Sequence, residues 1–197
     1  PNKPSADRER LLFSNGLGGF ALNGREYVLT LEGHERPPAP WSNVLANPDF
    51  GCLVTEAGGG YTWAGNAQMN RLTPWSNDPV TDTPGEALYL RDEETGEFWT
   101  PTPAPRGGPA TTVVRHGQGY TRFNQRSHGL DQDLVVFVSR DDPVKLMHLR
   151  VTNTGDRTRR LSATFYAEWV LGTERDQASM HVVCTLDPES GALFARN

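Results

Sequence analysis

The sequence predicts an all-β fold built as an antiparallel sandwich, and three observations carry that expectation. Apolar and polar residues alternate with a period of two through much of the chain, which is the spacing of half-buried strands. The 197 residues include 20 glycines and 15 prolines, about 18% of the chain, against a usual share of roughly 12%, so turns are frequent and long helices few. Short segments with turn chemistry join the strand-like runs, and strands joined by tight turns pair antiparallel.

In chain order the alternation predicts strands at 25–31, 51–56, 60–64, 87–91, 97–100 and 111–115, then at 119–124, 130–138, 144–152, 160–170, 179–186 and 192–195. In the run 145–151, Met147, Leu149 and Val151 fall on one face, although Lys145, His148 and Arg150 do not all share the other. In 161–170, Leu161, Ala163, Phe165, Ala167 and Trp169 alternate with Ser162, Thr164, Tyr166, Glu168 and Val170, a half-buried strand long enough to cross a large sheet. Three hairpin turns are explicit: 92–96 (DEETG), 153–156 (NTGD) between the two strongest strands, and 187–191 (DPESG) between the last two. Each sets glycine where a positive φ is needed.

Two stretches resist strand assignment, 36–49 (RPPAPWSNVLANPD) and 66–85 (NAQMNRLTPWSNDPVTDTPG). Their tryptophan, methionine and leucine content is too high for disorder, so they read as ordered surface loops. Residues 101–109 (PTPAPRGGP) read as a flexible or extended linker. The last hairpin has no following segment to cover its free side, which suggests a larger sheet system truncated at its C-terminal end. The expected organisation is one β-sandwich domain over 1–197, a fragment of a larger multidomain enzyme, opening on a polar segment at 1–10.

The net charge of −5, with no block of Lys and Arg, argues against a nucleic-acid partner. The start, PNKPSADRER, is not a signal peptide, and no apolar run approaches the roughly 20 residues that span a membrane. A soluble fragment at the cytoplasmic face is expected, and a membrane-associated parent is compatible with that. Cys52 and Cys184 lie in apolar runs without a CxxC neighbour. Two buried free thiols are favoured over a single disulfide.

The two loops share a recipe of indoles, amides and a guanidinium held by prolines. Trp41, Asn43 and Asn47 stand in the first; Asn66, Asn70, Arg71, Trp75, Asn77 and Asp78 stand in the second, with Tyr61 and Trp63 upstream. An indole can cover the apolar face of a pyranose while amides and guanidinium groups bond its hydroxyls. The competing reading is that the indoles plug the core and the asparagines cap turns. A second cluster runs from Arg115 and His116 through Gly117 and Gly119 to Tyr120 and Arg122. It reads either as an anion site or as a hairpin with its polar residues in water. Asn15-Gly16-Leu17-Gly18-Gly19-Phe20 lacks the context of a dinucleotide loop and reads as a tight turn. The five histidines are scattered without metal-ligand spacing. Glu168, mid-strand, needs a partner or solvent and is a modest site candidate.

The segments SNGLGGFALNGREYVL, LTPWSNDPVTDTPGEALYLRDEETGE, VVRHGQGYTRF, DDPVKLMHLRVTN and LSATFYAEWVLG resemble the N-terminal β-domain of glycoside hydrolase family 94, formerly glycosyltransferase family 36. That family includes cellobiose and chitobiose phosphorylases and the phosphorylase-like region of cyclic β-1,2-glucan synthase, the branch these segments are most similar to. The resemblance implies a supersandwich of the galactose-mutarotase-like kind, followed in the family by a helical linker and an (α/α)6 barrel that carries the general acid. Inorganic phosphate would be the co-substrate of the parent enzyme, with no other cofactor, and would attack with inversion. The fragment itself would be inactive. It would line a β-glucan or oligosaccharide site and help build a homodimer. The matching substrate-site candidates are Trp41, Asn43, Asn47, Arg71, Trp75, Asn77, Arg115, His116, Tyr120 and Arg122.

Overall fold

Glycine sets the tight reversals of the chain. Gly119 and Gly129 take φ of 88° and 71°, a conformation that penalises any side chain with a Cβ, and the strands on either side of each pair as neighbours. The computed structural model describes residues 9–76, 78, 80–173, 175–178 and 180–197. In chain order its strands are β1 (Gly18–Phe20), β2 (Glu26–Leu31), β3 (Ser42–Ala46), β4 (Phe50–Thr55), β5 (Gly60–Ala64), β6 (Glu86–Asp92), β7 (Phe98–Trp99), β8 (Thr112–Gly117), β9 (Tyr120–Ser127), β10 (Leu130–Val138), β11 (Lys145–Asn153) and β12 (Leu161–Ala167). A single helical turn, α1 (Arg175–Ala178), precedes β13 (Val183–Leu186) and β14 (Leu193–Arg196). No helix among the described residues is long and apolar enough to cross a membrane.

The fold is an antiparallel β-sandwich. One layer is a six-stranded sheet in the order β1-β2-β8-β9-β10-β11; β3-β4-β5 and β12-β6-β7 form two smaller sheets, and β13 and β14 pair with each other. Strand alternation gives the large sheet two unlike faces. Cross-strand register aligns Leu29, Val114, Phe123, Leu134 and Leu149 in one inward row. The next row, Val28, Arg115, Arg122, Val135 and His148, lies on the opposite face. The inward row packs on Leu45, Cys52 and Val54 of the β3-β4-β5 sheet. A second cluster, Leu90, Trp99 and Leu130, seats the β6-β7 pair on the same sheet.

Lys145 breaks the alternation of β11 seen in sequence because it turns inward with Met147 and Leu149. There it meets Glu86 of β6 in an ion pair whose side chains are 15% and 11% exposed. Thr62 of β5 and Thr73 donate to the same carboxylate at 2.5 and 2.7 Å. Burial works to raise the Glu86 carboxyl, and Lys145 with the two hydroxyls outweighs it, so the group stays below the ordinary carboxylate range.

Several expectations are corrected. Residues 42–46, expected as loop, form β3, because Asn43 is tied to the β8–β9 hairpin. Its amide nitrogen donates to the carbonyls of Gly117 and Tyr120 at 2.9 Å and to Thr121 Oγ1 at 3.2 Å. The Asn15 turn leads directly into β1. The turn at 153–156 does not make a hairpin: β11 pairs with β10, and β12 pairs with β6. Arg157 and Arg159, just past that turn, reach Asp92 Oδ2 at 3.0 and 2.9 Å and carry the chain across to the β6 sheet. The backbone N–H of Glu94, with the Arg159 guanidinium, holds the Asp92 carboxyl down at about 2. Gly155 is also not among the residues of positive φ, whereas Gly96 and Gly191 are, at 74° and 70°.

Residues 101–109 are not a loose linker. Pro101, Thr102 and Pro103 are buried; Ala104 N donates to Ala57 O and Arg36 Nη2 to Pro103 O, both at 2.8 Å. The predicted strand 160–170 stops at Ala167, which leaves Glu168 just beyond it, and the predicted 179–186 is confined to Val183–Leu186. Residue 179 lies outside the described residues. The cysteines are both free, but only Cys52 is buried, its thiol pushed up to about 11; Cys184 is exposed on β13.

Phe123 is the largest side chain of the inward row and is 1% exposed. Phe123→Ala is expected to lower unfolding free energy by about 3–5 kcal/mol in a denaturant titration. A loss under about 1 kcal/mol would show that this row is not the core.

Candidate functional site

The segment after β5 is tied down by isolated backbone bridges rather than left as a free loop. Arg71 N donates to Gly172 O at 3.0 Å, Gly172 N to Arg71 O at 2.9 Å and Leu72 N to Thr62 O at 2.8 Å. Thr73 Oγ1 accepts from Thr62 N at 2.9 Å while donating to Glu86. The backbone of Arg71 is therefore fixed between β5 and residue 172, and its side chain lies beside the aromatic residues of β5.

Those aromatics form a row. Tyr61 lies between Trp63 and Trp75, with ring centroids 5.1 and 5.2 Å away and planes tilted by 39° and 30°. The Arg71 guanidinium carbon stands 5.9 Å from the Tyr61 ring centroid, a cation–π arrangement. Arg71 Nη1 makes a long bond of 3.4 Å to Thr173 O. Its Nε is buried and has no hydrogen-bond partner. Arg71, Trp75, Ser76, Thr173, Arg175 and Asp176 line a cleft of about 310 Å³. At its rim Arg175 grips Glu168 with two bonds of 2.5 and 2.6 Å; Glu168 thus has the partner that its position required. Trp75 at the end of the aromatic row, a guanidinium and two hydroxyl-bearing residues in one cleft suit a ring that has an apolar face and hydroxyls at its edge.

The other sequence candidates fall elsewhere. Trp41 packs against the core and meets Tyr27 edge-on, with centroids 5.7 Å apart. Its backbone N–H donates to Glu56 Oε2 at 2.7 Å and its carbonyl lies 3.0 Å from His116 Nε2. A carbonyl can only accept, so Nε2 carries the proton and Nδ1 accepts from Thr121 Oγ1 at 3.1 Å. Burial pulls the His116 pKa down. Asn47 bridges from β3 to the carbonyls of Ser139 and Asp142 at 2.9 and 2.8 Å. Trp41, Asn43 and His116 thus share one network at the β3–β8–β9 junction.

Arg115, Tyr120 and Arg122 stand together on the outer face of the large sheet. Glu26 joins Arg115 at 3.2 Å and accepts from Tyr120 Oη at 2.5 Å; Arg122 pairs with Asp133 at 2.7 and 2.6 Å. Arg115 also reaches Glu9 at 2.5 Å. Asn77 lies outside the described residues. The nine described candidates therefore divide among the Arg71 cleft, the β3 junction and the outer face, and no hydrogen bond or ring contact among the described residues joins the first loop to Arg71 or Trp75.

Sequence reasoning overlooked Ser76, Thr173, Arg175 and Asp176, which come from both sides of a long excursion through β6–β12. It also overlooked Glu56. This residue is 3% exposed, and burial pushes its carboxyl up to about 7, against the Trp41 N–H; Asp82 adds to the upward shift. The signal available was a carboxylate following the apolar run FGCLVT.

A family profile described as glycosyl hydrolase 94, supersandwich domain, matches residues 25–197, in agreement with the resemblance read from the sequence. Over 186 residues the chain is 40% identical to a cyclic beta-(1,2)-glucan synthase, NdvB, of Rhizobium meliloti (strain 1021), covering 94% of this chain and 7% of that protein. It is 34% identical over 157 residues to an N,N'-diacetylchitobiose phosphorylase of Vibrio furnissii, covering 77% and 19%. It is 31% identical over 188 residues to a solabiose phosphorylase of Paenibacillus borealis, covering 92% and 24%. The chain spans less than a quarter of the length of each of these relatives.

Glu56 makes a pH dependence testable. Its pKa is about 7 folded against an ordinary 4.5. The folded state therefore binds the extra proton, and stability falls as pH rises from 4.5 through 7. Glu56→Gln removes that loss. Between pH 5 and pH 8 the wild type is expected to lose about 1–3 kcal/mol relative to the variant in denaturant titrations. Parallel pH profiles would contradict the assignment.

Proposed function

Since the chain belongs to the glycosyl hydrolase 94 supersandwich domain family, we propose that it is the N-terminal saccharide-site domain of a longer β-glucan-active enzyme. The enzyme would be of the cyclic β-1,2-glucan synthase or glycoside phosphorylase type, with catalysis performed by a further (α/α)6 domain. Inorganic phosphate is the co-substrate of the phosphorylase reaction in this reading, and a homodimer contact belongs to it as well. Three kinds of relative, a glucan synthase and two disaccharide phosphorylases, support the class of substrate.

The observation that carries the reading is the unpartnered Arg71 Nε beside the Trp63–Tyr61–Trp75 row. A buried N–H without an acceptor costs about 1–3 kcal/mol. A side-chain shift that turns this N–H into the cleft, toward a sugar hydroxyl, offsets the cost while the ring lies against Trp75. The assignment of sugar contact to Arg71 and Trp75 leaves Trp41, Asn43, Asn47 and His116 to hold β3 against β8–β9. Arg115, Tyr120 and Arg122 then serve the outer face, where the large sheet meets other parts of the assembled enzyme.

In the longer enzyme, Arg71→Ala and Trp75→Ala are each expected to lower kcat/KM at least about 10-fold, with circular dichroism unchanged. Unchanged kinetics in both would remove the cleft from the substrate path. Isothermal titration of the 197-residue chain with β-glucan oligosaccharides is expected to show no sub-millimolar binding, because the site is shared with another domain. Tight binding by the isolated chain would instead support a free-standing carbohydrate-binding module.

A further inference from the structure

The β12-β6-β7 sheet turns one face to the core, where Leu88, Leu90 and Trp99 pack. Strand alternation and register put Tyr166 and Thr164 of β12, Tyr89 and Arg91 of β6 and Phe98 of β7 on the other face. Phe98 and Tyr166 are 46% and 48% exposed. Tyr89 stands diagonally between them, because Phe98 lies opposite Arg91 and Tyr166 lies opposite Ala87. Its ring meets that of Phe98 edge-on, with centroids 6.2 Å apart. The three rings therefore run obliquely across three strands, a track of about 15 Å in two diagonal steps.

Two guanidinium groups flank the track at its β7 end. Arg91 is exposed beside Phe98. Arg106 lies over the Phe98 ring, 4.9 Å from its centroid, and its carbonyl accepts from Thr100 N at 3.0 Å, which fixes it there. Among the described residues neither guanidinium has a hydrogen bond or an ion pair, whereas Arg115 and Arg122 on the large sheet are both paired to carboxylates. At the other end, the Glu168 carboxylate, and after it Tyr166, raise the pKa of Arg175. The track thus finishes beside the rim of the Arg71 cleft.

Exposed rings in line, with hydroxyls and uncommitted N–H donors among them, match a chain of pyranoses, each with an apolar face and a fringe of hydroxyls. The core of a protein interface is depleted in charge, and here Arg91 stands within the patch. We propose that this outer face is a second saccharide site, which holds the remote part of a neutral β-glucan chain whose nearer part lies in the Arg71 cleft. The direction of the chain rests on the saccharide reading of that cleft; the surface itself does not. A disaccharide in the cleft does not reach Tyr89, so the face favours long glucans over short ones.

NMR titration of the isotope-labelled 197-residue chain with linear β-1,2-glucan tests the face directly. The amides of Tyr89, Phe98 and Thr164 are expected to shift, with a Kd of about 1–10 mM that added salt leaves unchanged because the ligand is neutral. Tyr89→Ala and Phe98→Ala should each weaken binding about 5-fold. Arg91→Ala, at an exposed position where folding is not at stake, should weaken it about 3-fold. No shift at these amides, or shifts that survive all three substitutions, overturns the proposal. So does a response to dextran sulfate without one to neutral glucan, which makes the face an anion site. In the longer enzyme, Phe98→Ala is expected to raise KM for the glucan about 5-fold and leave that for the disaccharide unchanged. An equal change for both substrates also overturns the proposal. If the outer face binds glucan while Arg71→Ala and Trp75→Ala leave the kinetics intact, the cleft reading fails and the surface site stands; the reverse pattern removes the surface site alone.

Discussion

One buried carboxylate joins three of the four sheets. Glu86, on β6, accepts from Thr62 on β5 and from Thr73 in the segment beyond it, and pairs with Lys145 on β11. Such a pair need not add net stability over an apolar packing of the same volume, but removing either partner strands the other charge. Its structural consequence is orientation. The observed placement of the β3-β4-β5 sheet, the β12-β6-β7 sheet and the six-stranded layer satisfies the two hydroxyls and the ammonium together.

The candidate site inherits that placement. Thr73 is two residues from Arg71, and its hydroxyl is locked between Thr62 N and Glu86. The guanidinium is thereby delivered to the side of Tyr61 with its Nε unpaired. The same ion pair floors the apolar groove between β11 and β12.

The legible parts of the fold were those fixed by local chemistry. Alternation in 130–138 placed β10, and the DEETG and DPESG turns marked β6–β7 and β13–β14, because glycine at positive φ leaves a sequence signature. Parts fixed by distant partners were not legible. β3 looked like a loop because its anchor, Asn43, bonds carbonyls more than seventy residues away. The NTGD turn looked like a hairpin because nothing local reveals that Arg157 and Arg159 seek Asp92. Of the site, Arg71 and Trp75 were visible as residue types, together with Tyr61 and Trp63 upstream. Arg175 and Thr173, which complete the cleft, are brought to it by the backbone pairing of Arg71 with Gly172, a contact between residues a hundred apart in sequence.

A thermodynamic cycle between Glu86→Gln and Lys145→Met tests the joining role most directly. Each single substitution is predicted to cost about 3–5 kcal/mol, and the pair far less than the sum, with a coupling of at least about 2 kcal/mol. In the single variants the Leu72 amide, which bonds Thr62 O, should also exchange faster. Additive losses, with coupling within about 0.5 kcal/mol and unchanged exchange at Leu72, would contradict the account.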